Sequence, residues 1–282
     1  MNRVLIELCK LHSFEGHPYK VQDDEEMDAL TESVRAYGIM SPLIVRPMEQ
    51  KRGEYEVVSG HRRMRAAEKA GLKTVPAFIV PLDRAAAAIV LVDSNLHREH
   101  LLPSEKAFAY KLKLEALKQQ GKRTDLTSRQ NVGKLESADQ VSETESGRQV
   151  QRYIRLTCLQ PELLKLVDQG KIALSVGVEL SYLNDQAQRS LVDLIDQNEA
   201  TPSYSQAVRM HRECPSLEPE PACRRIREIM REEKPNQQER ISIPADRLRP
   251  FFPEHYTAKD IQQAILALLE KERRRKRQQA AR

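Results

Sequence analysis

One glycine, Gly60, marks a place where a predicted strand passes directly into a predicted helix, and this junction constrains how the first third of the chain can fold. Residues 54–59 alternate in hydropathy as a half-buried strand does, and residues 64–70 are strong helix formers that end at Gly71. Glycine allows a ligand to approach the backbone closely, and the amide groups of a first helical turn point at an anion. The junction therefore predicts an anion-binding turn.

Three arginines, Arg62, Arg63 and Arg65, follow this glycine closely. Guanidinium groups make charge-assisted, bidentate hydrogen bonds to phosphate, so we interpret the turn as a polyphosphate site. The alternative is that these arginines are solvated, or pair with the neighbouring carboxylates Glu54, Glu56 or Glu68, and bind nothing else.

The first 100 residues mix helices and short strands. Hydrophobic periodicity and capping residues predict a helix over 23–37, a strand over 42–45, a strand over 74–80 and an alanine-rich helix over 84–93. Because short strands and helices share one stretch of about this length, we expect an α+β domain over residues 1–100.

Strand patterns vanish after this point, and residues 101–207 are predicted to form an all-α domain. A long helix is predicted from Pro103 to Gln120 with Gly121 as its end, followed by a polar, turn-rich stretch over 121–134.

Two short helices are predicted at 138–143 and 148–159, separated by a tight turn at 145–147. This is the layout of a helix-turn-helix, in which the second helix enters the major groove of DNA.

The second of these helices presents its arginines on one face. At about 100° per residue, three arginines fall within a narrow arc opposite the apolar side chains. Guanidinium groups suit phosphate oxygens and the guanine edge. The candidate DNA-binding residues are Arg148, Gln149, Gln151, Arg152 and Arg155. The alternative is a solvated basic face without a ligand.

The C-terminal part is predicted as a linker over 208–240 and a helical segment over 241–282. An apolar stripe that includes Ile261 and Leu268 suggests that the last helix docks or self-associates. Residues 271–282 carry a net charge of +6, whereas the whole chain carries +5, so the rest of the chain sums to −1. A cationic tail on a near-neutral body favours a polyanionic partner such as nucleic acid, the alternative being a solubilising tail.

Several classes of protein are disfavoured by composition. The longest apolar run, 85–92, is far shorter than the roughly 20 residues of a membrane-spanning helix, and no signal-peptide pattern begins the chain. We therefore expect a cytoplasmic protein that does not engage a membrane. The four cysteines are scattered without metal-ligand spacing, so neither a metal site nor a disulfide is predicted.

Taken in order, these pieces resemble the ParB family of partition proteins, in the branch carried by plasmids and integrated mobile elements of Gram-positive bacteria. The motifs that carry the resemblance lie at residues 17–21, 37–47, 59–63, 93–99, 102–110 and 148–156.

The resemblance implies a ParB-like N-terminal domain that binds CTP with Mg²⁺, and a helix-turn-helix that reads a centromere-like site on double-stranded DNA. It also implies that a homodimer closes around DNA as a clamp, that a ParA-like ATPase is a partner, and that the protein associates with the nucleoid or a plasmid. The residues that it assigns to the nucleotide are Gly60, His61, Arg62, Arg63, Asn95 and Arg98.

Two residues depart from the family pattern. His61 stands where the family has a glutamate, and Ser94 stands where it has a second one. Hydrolysis needs a group that positions water or a metal held against the phosphates, so we expect nucleotide binding with at most slow CTP hydrolysis and assign no catalytic residue. Asp93 lies on a different side of its helix and is not expected to replace the missing carboxylate.

Two other functions are compatible with the same residues. One is a transcription regulator of a mobile element that uses the same helix-turn-helix without segregating DNA. The other is a ParB-like nuclease in which His61 acts beside the arginines, although general acid–base catalysis needs an oriented partner for that histidine.

Overall fold

The computed structural model describes residues 2–96, 98, 101–125, 141–142, 144–215, 217–232 and short stretches between 248 and 273. Contacts divide the chain into two units, Met1–Glu232 and Glu233–Arg282. The first unit holds the sheet and ten helices within the described residues. The predicted domain limits at 100, 207 and 240 stay predictions.

A five-stranded mixed sheet forms the centre of the N-terminal part. Its strands are β1 (Arg3–Glu7), β2 (Leu11–Ser13), β3 (Leu43–Pro47), β4 (Tyr55–Ser59) and β5 (Thr74–Ile79). Their order is β1-β5-β3-β4-β2, with antiparallel pairs β1/β5 and β3/β4 and parallel pairs β2/β4 and β3/β5. This order places the end of β4, which leads into Gly60, inside the sheet.

Three helices, α1 (Glu25–Tyr37), α2 (His61–Ala70) and α3 (Arg84–Leu96), accompany the sheet. Asp24 caps α1 by accepting a hydrogen bond from the Met27 amide, as its position at the predicted start suggested. The α+β prediction for the N-terminal part is confirmed. Helix α3 runs three residues beyond its predicted end, and this extension places Asn95 in its last turn.

Helices alone make up the rest of the first unit within the described residues. They are α4 (Pro103–Asp125), α5 (Gly147–Arg155), α6 (Pro161–Asp168), α7 (Leu174–Leu180), α8 (Asp185–Asn198), α9 (Tyr204–Glu213) and α10 (Pro219–Arg231). The prediction of a helical part after the α+β part is confirmed.

Gly121 does not end α4, which continues to Asp125. A glycine inside a helix costs about 1 kcal/mol relative to alanine, which is too little to stop a long helix by itself. The predicted linker over 208–240 also differs from the structure, since α9 reaches Glu213 and α10 follows within that range. Pro219 occupies the first turn of α10, where the missing N–H has no helical partner to lose.

The first helix of the predicted helix-turn-helix is not seen in the described residues. Val141 lies in a turn and Ser142 is non-helical, whereas residues 138–140 and 143 lie outside the described residues. The Ser142 hydroxyl accepts hydrogen bonds from the amides of Thr144 and Glu145, at 3.3 and 3.2 Å. A serine that bonds the following amides in this way favours a turn over a helix.

Helix α5 is shorter than the predicted 148–159. It begins at Gly147, after the cap Ser146, and gives way at Leu156 to a 3₁₀ turn. Buried side chains of α6 to α10 form one core, to which Leu163, Leu191 and Ile226 contribute.

The second unit is described at few positions. Of its predicted apolar stripe, Ile261 is buried and Leu268 and Leu269 are exposed, and residues 274–282 of the basic tail lie outside the described residues. Among the helices that the structure describes, none has the length and apolar character that crossing a membrane requires.

Candidate functional site

Gly60 connects β4 to α2 with a backbone φ of +107°, a conformation that side-chain-bearing residues rarely adopt. A Cβ atom at this position would lie 3.1 Å from Cγ of Leu43 and 3.2 Å from Nη2 of Arg63. The turn therefore needs glycine for its conformation and for its close packing. Residues 60–63, which carry the first amide groups of α2, line an open space.

That space is a cavity of about 180 Å³, and it brings all six predicted nucleotide residues together: Gly60, His61, Arg62, Arg63, Asn95 and Arg98. They come from the start of α2, the end of α3 and the residues just after α3. The remaining lining residues that the structure describes are His17, Tyr19, Lys20, Val21, Ser59 and Ser94.

The described wall of this cavity carries only positive formal charge. Its charged side chains are Lys20, Arg62, Arg63 and Arg98, and it contains no Asp or Glu among the described residues. Positive groups with helix N-terminal amides on one wall suit a polyphosphate.

The arginines after Gly60 differ in their partners. Arg62 pairs with Glu26 at 3.0 Å and with Asp24 at 3.6 Å, at the rim of the cavity. Arg63 instead donates to the carbonyls of Ser41 and Pro42, and burial lowers the pKa of its guanidinium. With no described carboxylate paired to it, Arg63 keeps its charge available to an anion.

Arg65 does not join the site. It lies outside the cavity wall and pairs with Asp23 at 2.7 Å and with Glu68 at 3.4 Å. These hydrogen bonds raise the pKa of Arg65. The alternative interpretation, pairing with carboxylates, therefore holds for Arg65 and also for Arg62, whereas Arg63 has no carboxylate partner among the described residues.

The last turn of α3 supplies neutral polar groups. The Asn95 amide nitrogen donates to the Leu91 carbonyl at 2.8 Å, and the Ser94 hydroxyl donates to the same carbonyl at 3.0 Å. Asp93 faces away and pairs with Lys113 of α4 at 2.5 Å. The expectation that Asp93 does not replace the missing carboxylate agrees with this geometry.

His61 is a buried structural group in the cavity floor, with 8% of its surface exposed. Its Nε2 atom accepts a hydrogen bond from the Phe14 amide at 3.3 Å, and its ring lies against that of His17 with the centroids 3.8 Å apart and the planes tilted by 39°. Burial lowers the pKa of His61 to about 3. The nuclease alternative depended on this histidine, whose lone pair is already used to bind the backbone.

Sequence reasoning did not assign the wall formed by residues 17–21. The His17 Nδ1 atom donates to the Tyr19 carbonyl at 2.8 Å, and the Tyr19 hydroxyl donates to the Val92 carbonyl at 3.4 Å. Burial raises the pKa of Tyr19 and lowers that of His17. Position in the first family motif was the signal that could have indicated this wall.

The donor set fits the phosphates of a nucleotide better than it fits a bare metal ion. Across the described residues, no group of three or more His, Cys, Asp or Glu side chains could hold a metal. Asn95 and Ser94 are neutral oxygen donors in the cavity wall. A Mg²⁺ ion there would depend on phosphate oxygens and water, which is how this ion usually binds at nucleotide sites.

The predicted DNA-binding residues of α5 fall into two groups. Arg148 and Gln151 are exposed, Gln149 is half-buried, and half-buried Arg152 donates to the Gln149 side chain at 3.3 Å. These four residues remain compatible with contact to DNA.

The Arg155 side chain is engaged in contacts within the chain and is not free to bind DNA. Its guanidinium donates to the Ser181 hydroxyl at 3.0 Å and to the Ser181 carbonyl at 2.8 Å. It also lies 4.0 Å from the centroid of the Tyr182 ring. The sequence placed Arg155 with Arg148 on one face, but the α7–α8 junction, which periodicity cannot locate, takes up its hydrogen-bonding groups.

The segment before α5 is anchored to α4. Lys106 pairs with Glu145 at 2.9 Å and lies 5.3 Å from the centroid of the Tyr153 ring. Val150, in the middle of α5, is fully buried with Tyr110 and Leu114 of α4. Helix α5 is therefore fixed on one side and open on the other.

Comparison with known proteins connects these features to a family. Residues 2–96 match the model of the ParB N-terminal domain. The chain is 37% identical over 120 residues to the chromosome-partitioning protein ParB of Caulobacter vibrioides, covering 43% of this chain and 38% of that protein. It is 34% identical over 184 residues to stage 0 sporulation protein J of Bacillus subtilis, covering 64% of this chain and 59% of that protein.

One solved structure with a similar chain is the C-terminally truncated ParB of Caulobacter crescentus complexed with CTP-gamma-S. It matches with 26% identity and a TM-score of 0.33, covering 70% of this chain and 99% of that one. The aligned regions span less than two thirds of the length of the two full relatives. Residues 2–96 therefore form a ParB N-terminal domain, and the chain is similar over a longer stretch to chromosome-partitioning proteins.

Proposed function

We propose that this chain is a DNA-binding partition protein in which a CTP-binding cavity controls the grip of the helical part on DNA. The observation that carries the proposal is the cavity at Gly60, which collects all six residues assigned to the nucleotide and four cations, with no carboxylate in its described wall. A triphosphate carries the negative charge that this wall lacks.

Each part of the nucleotide has a partner of suitable chemistry. Arg63, Arg98 and the first-turn amides of α2 would hold phosphates, and Asn95 would hydrogen-bond a phosphate or a hydrated Mg²⁺ ion. When bound, Mg²⁺ would neutralise part of the phosphate charge. The chain offers no carboxylate at position 94, so CTP would act as a bound switch with at most slow hydrolysis.

The DNA partner is assigned to α5. Arg148, Gln149, Gln151 and Arg152 would face the major groove, where arginine pairs with guanine and glutamine with adenine. Helix α5 is packed against α4 along its buried side, which would fix its angle to the duplex. In this proposal two copies of the chain close around one duplex. A ParA-like ATPase moves the resulting complex.

A finer form of this proposal states which kind of DNA the protein segregates. The motif pattern favours a plasmid or an integrated mobile element over a chromosome. A centromere-like site beside the coding region, copurified by the protein from fragmented plasmid DNA, would support the finer form.

Binding of DNA with and without nucleotide tests the function. Fluorescence anisotropy on a centromere-like duplex should change with CTP in the wild-type protein and should not change in Arg63→Ala. Arg65→Ala is the matched control, because it removes a guanidinium from the same helix outside the cavity. Equal CTP responses in the two variants would contradict the proposal.

A further inference from the structure

Lys20 lies at the meeting point of the cavity wall and the helical part. Its backbone amide donates to Oε1 of Glu105, in the first turn of α4, at 2.9 Å. Its ammonium group reaches in another direction and donates to Oδ2 of Asp168, the last residue of α6, at 3.2 Å. One residue of the cavity wall therefore contacts two helices of the part that carries α5.

The Asp168 carboxylate is a buried hydrogen-bond acceptor whose position is fixed by its neighbours. Its side chain is only 8% exposed, although it belongs to the end of a helix. The Ser104 amide donates to its Oδ1 atom at 2.9 Å, and the Ser104 hydroxyl donates to its Oδ2 atom at 2.7 Å. These bonds fix the carboxylate in place without Lys20, so the ammonium is the replaceable member of the group.

The Lys20 side chain, in contrast, is 54% exposed and has a long flexible stem. It lines the same cavity as Arg63 and Arg98, which holds no negative group in its described wall. A triphosphate in the cavity would offer this ammonium several oxygens, whereas the Asp168 carboxylate already accepts two hydrogen bonds from Ser104. Lys20 thus has two alternative anionic partners, one on each side of the junction.

Because this inference rests on the nucleotide role proposed above, it concerns the same cavity. We propose that the Lys20 ammonium exchanges between Asp168 and the nucleotide phosphates. Asp168 competes with the phosphates and lowers the affinity of the cavity. When the phosphates take the ammonium, the link between residues 17–21 and α6 is lost, and the end of α6 retains only its bonds to Ser104. Asp168 is a positioning residue in this scheme, and Lys20 is a further phosphate-binding residue.

Because Asp168 and the phosphates compete for the Lys20 ammonium, the direction of each change in CTP affinity can be predicted. Removing the charge of Asp168 should release Lys20 to the phosphates, so Asp168→Asn should bind CTP roughly two- to fivefold more tightly, the range of a partly exposed ion pair. Lys20→Gln should bind CTP about tenfold more weakly or worse, as expected for loss of a charge-assisted hydrogen bond. In the double variant the effect of Asp168→Asn should vanish, because the ammonium that it frees is absent.

The test is titration calorimetry of the full-length variants with CTP and Mg²⁺, together with thermal melts. Ser104→Ala is the matched control, because it loosens the same junction while keeping the Asp168 charge, and it should not tighten binding. If Asp168→Asn does not fold, Lys20→Gln alone decides, and wild-type affinity in that variant overturns the proposal.

These measurements distinguish failure of CTP binding from failure of the Lys20 exchange. If the wild-type protein does not bind CTP at all, the proposed function fails. If the wild-type protein binds CTP but Asp168→Asn binds no more tightly, or tightens equally in the Lys20→Gln background, the exchange of Lys20 is wrong and the nucleotide role stands.

Discussion

The guanidinium of Arg155, at the end of α5, lies over the Tyr182 ring at 4.0 Å from its centroid and donates two hydrogen bonds to Ser181. The Tyr182 ring also stacks on His211 of α9 at 3.9 Å, with an angle of 6° between the rings. This stack joins α5 to α9 through the α7–α8 junction. It sets the position of α5 within the helical part.

Replacing Arg155 should therefore destabilise the protein. We expect Arg155→Ala to lower the free energy of unfolding by about 1–3 kcal/mol, because cation–π contact and charged hydrogen bonds are both lost. Chemical denaturation measures this value. Tyr182→Ala should show a similar loss, and the double variant should lose less than the sum, since the two residues share one interaction. Full additivity would contradict the stack.

Replacing Arg148 should weaken DNA binding without destabilising the protein. Its side chain is exposed on the open side of α5, so Arg148→Ala should leave the free energy of unfolding within about 0.5 kcal/mol of wild type. Loss of a base contact should cost about 1–3 kcal/mol on the specific site alone, whereas loss of a phosphate contact should weaken all duplexes equally. Anisotropy titrations on specific and scrambled duplexes distinguish these cases. Unchanged affinity for both would remove Arg148 from the interface.

The buried imidazole of His61 should make stability fall at mildly acidic pH. Its folded pKa of about 3 lies below its unfolded value, so the unfolded chain gains a proton first as the pH falls below about 6.5. The stabilisation is present above that pH and is lost progressively down to about pH 3. Between pH 7 and pH 5 the loss should reach about 2 kcal/mol.

His61→Gln provides the comparison for this pH effect, because glutamine does not titrate in this range. Denaturant titrations of both proteins at pH 7 and pH 5 should show a smaller loss for the variant. An equal loss in both would place the titrating group elsewhere.

Gly60 should tolerate no side chain. In Gly60→Ala, the positive φ and the contact with Leu43 should cost about 1–3 kcal/mol of stability, measured by chemical denaturation. Gly71→Ala is the comparison, because its φ of +74° is also left-handed but its Cβ position is open. If the two variants lose stability equally, packing at Gly60 contributes nothing beyond its backbone conformation.

Local sequence signals predicted the core of the cavity. The Gly60 junction combined a strand pattern, a glycine and a helix, and each of these acts over a few residues, so the turn and its anion-facing amides could be inferred without the fold. Asn95 and Arg98 came only from resemblance, since nothing local links the end of α3 to the start of α2. The packing of α3 against β4, which leads into Gly60, brings them together.

The features that the sequence did not predict depend on contacts between residues that are distant in the sequence. Arg65 and Arg62 look alike in the sequence and both pair with carboxylates at or before the start of α1, but only Arg62 lines the cavity. Arg155 matched the helical face of Arg148, yet Ser181 lies 26 residues away and reaches it only through the packing of α7. Strands β1 and β2 are short edge strands that were not predicted, since their pairing with β5 and β4 is non-local.

Titration calorimetry of this chain with CTP, GTP, UTP and ATP, each with Mg²⁺, shows whether the cavity at Gly60 is a CTP site. We expect one CTP bound per chain, with weaker or absent binding of the other nucleotides, loss of binding in Arg63→Ala and retention in Arg65→Ala. No binding of any nucleotide, or equal binding by these two variants, would contradict this expectation.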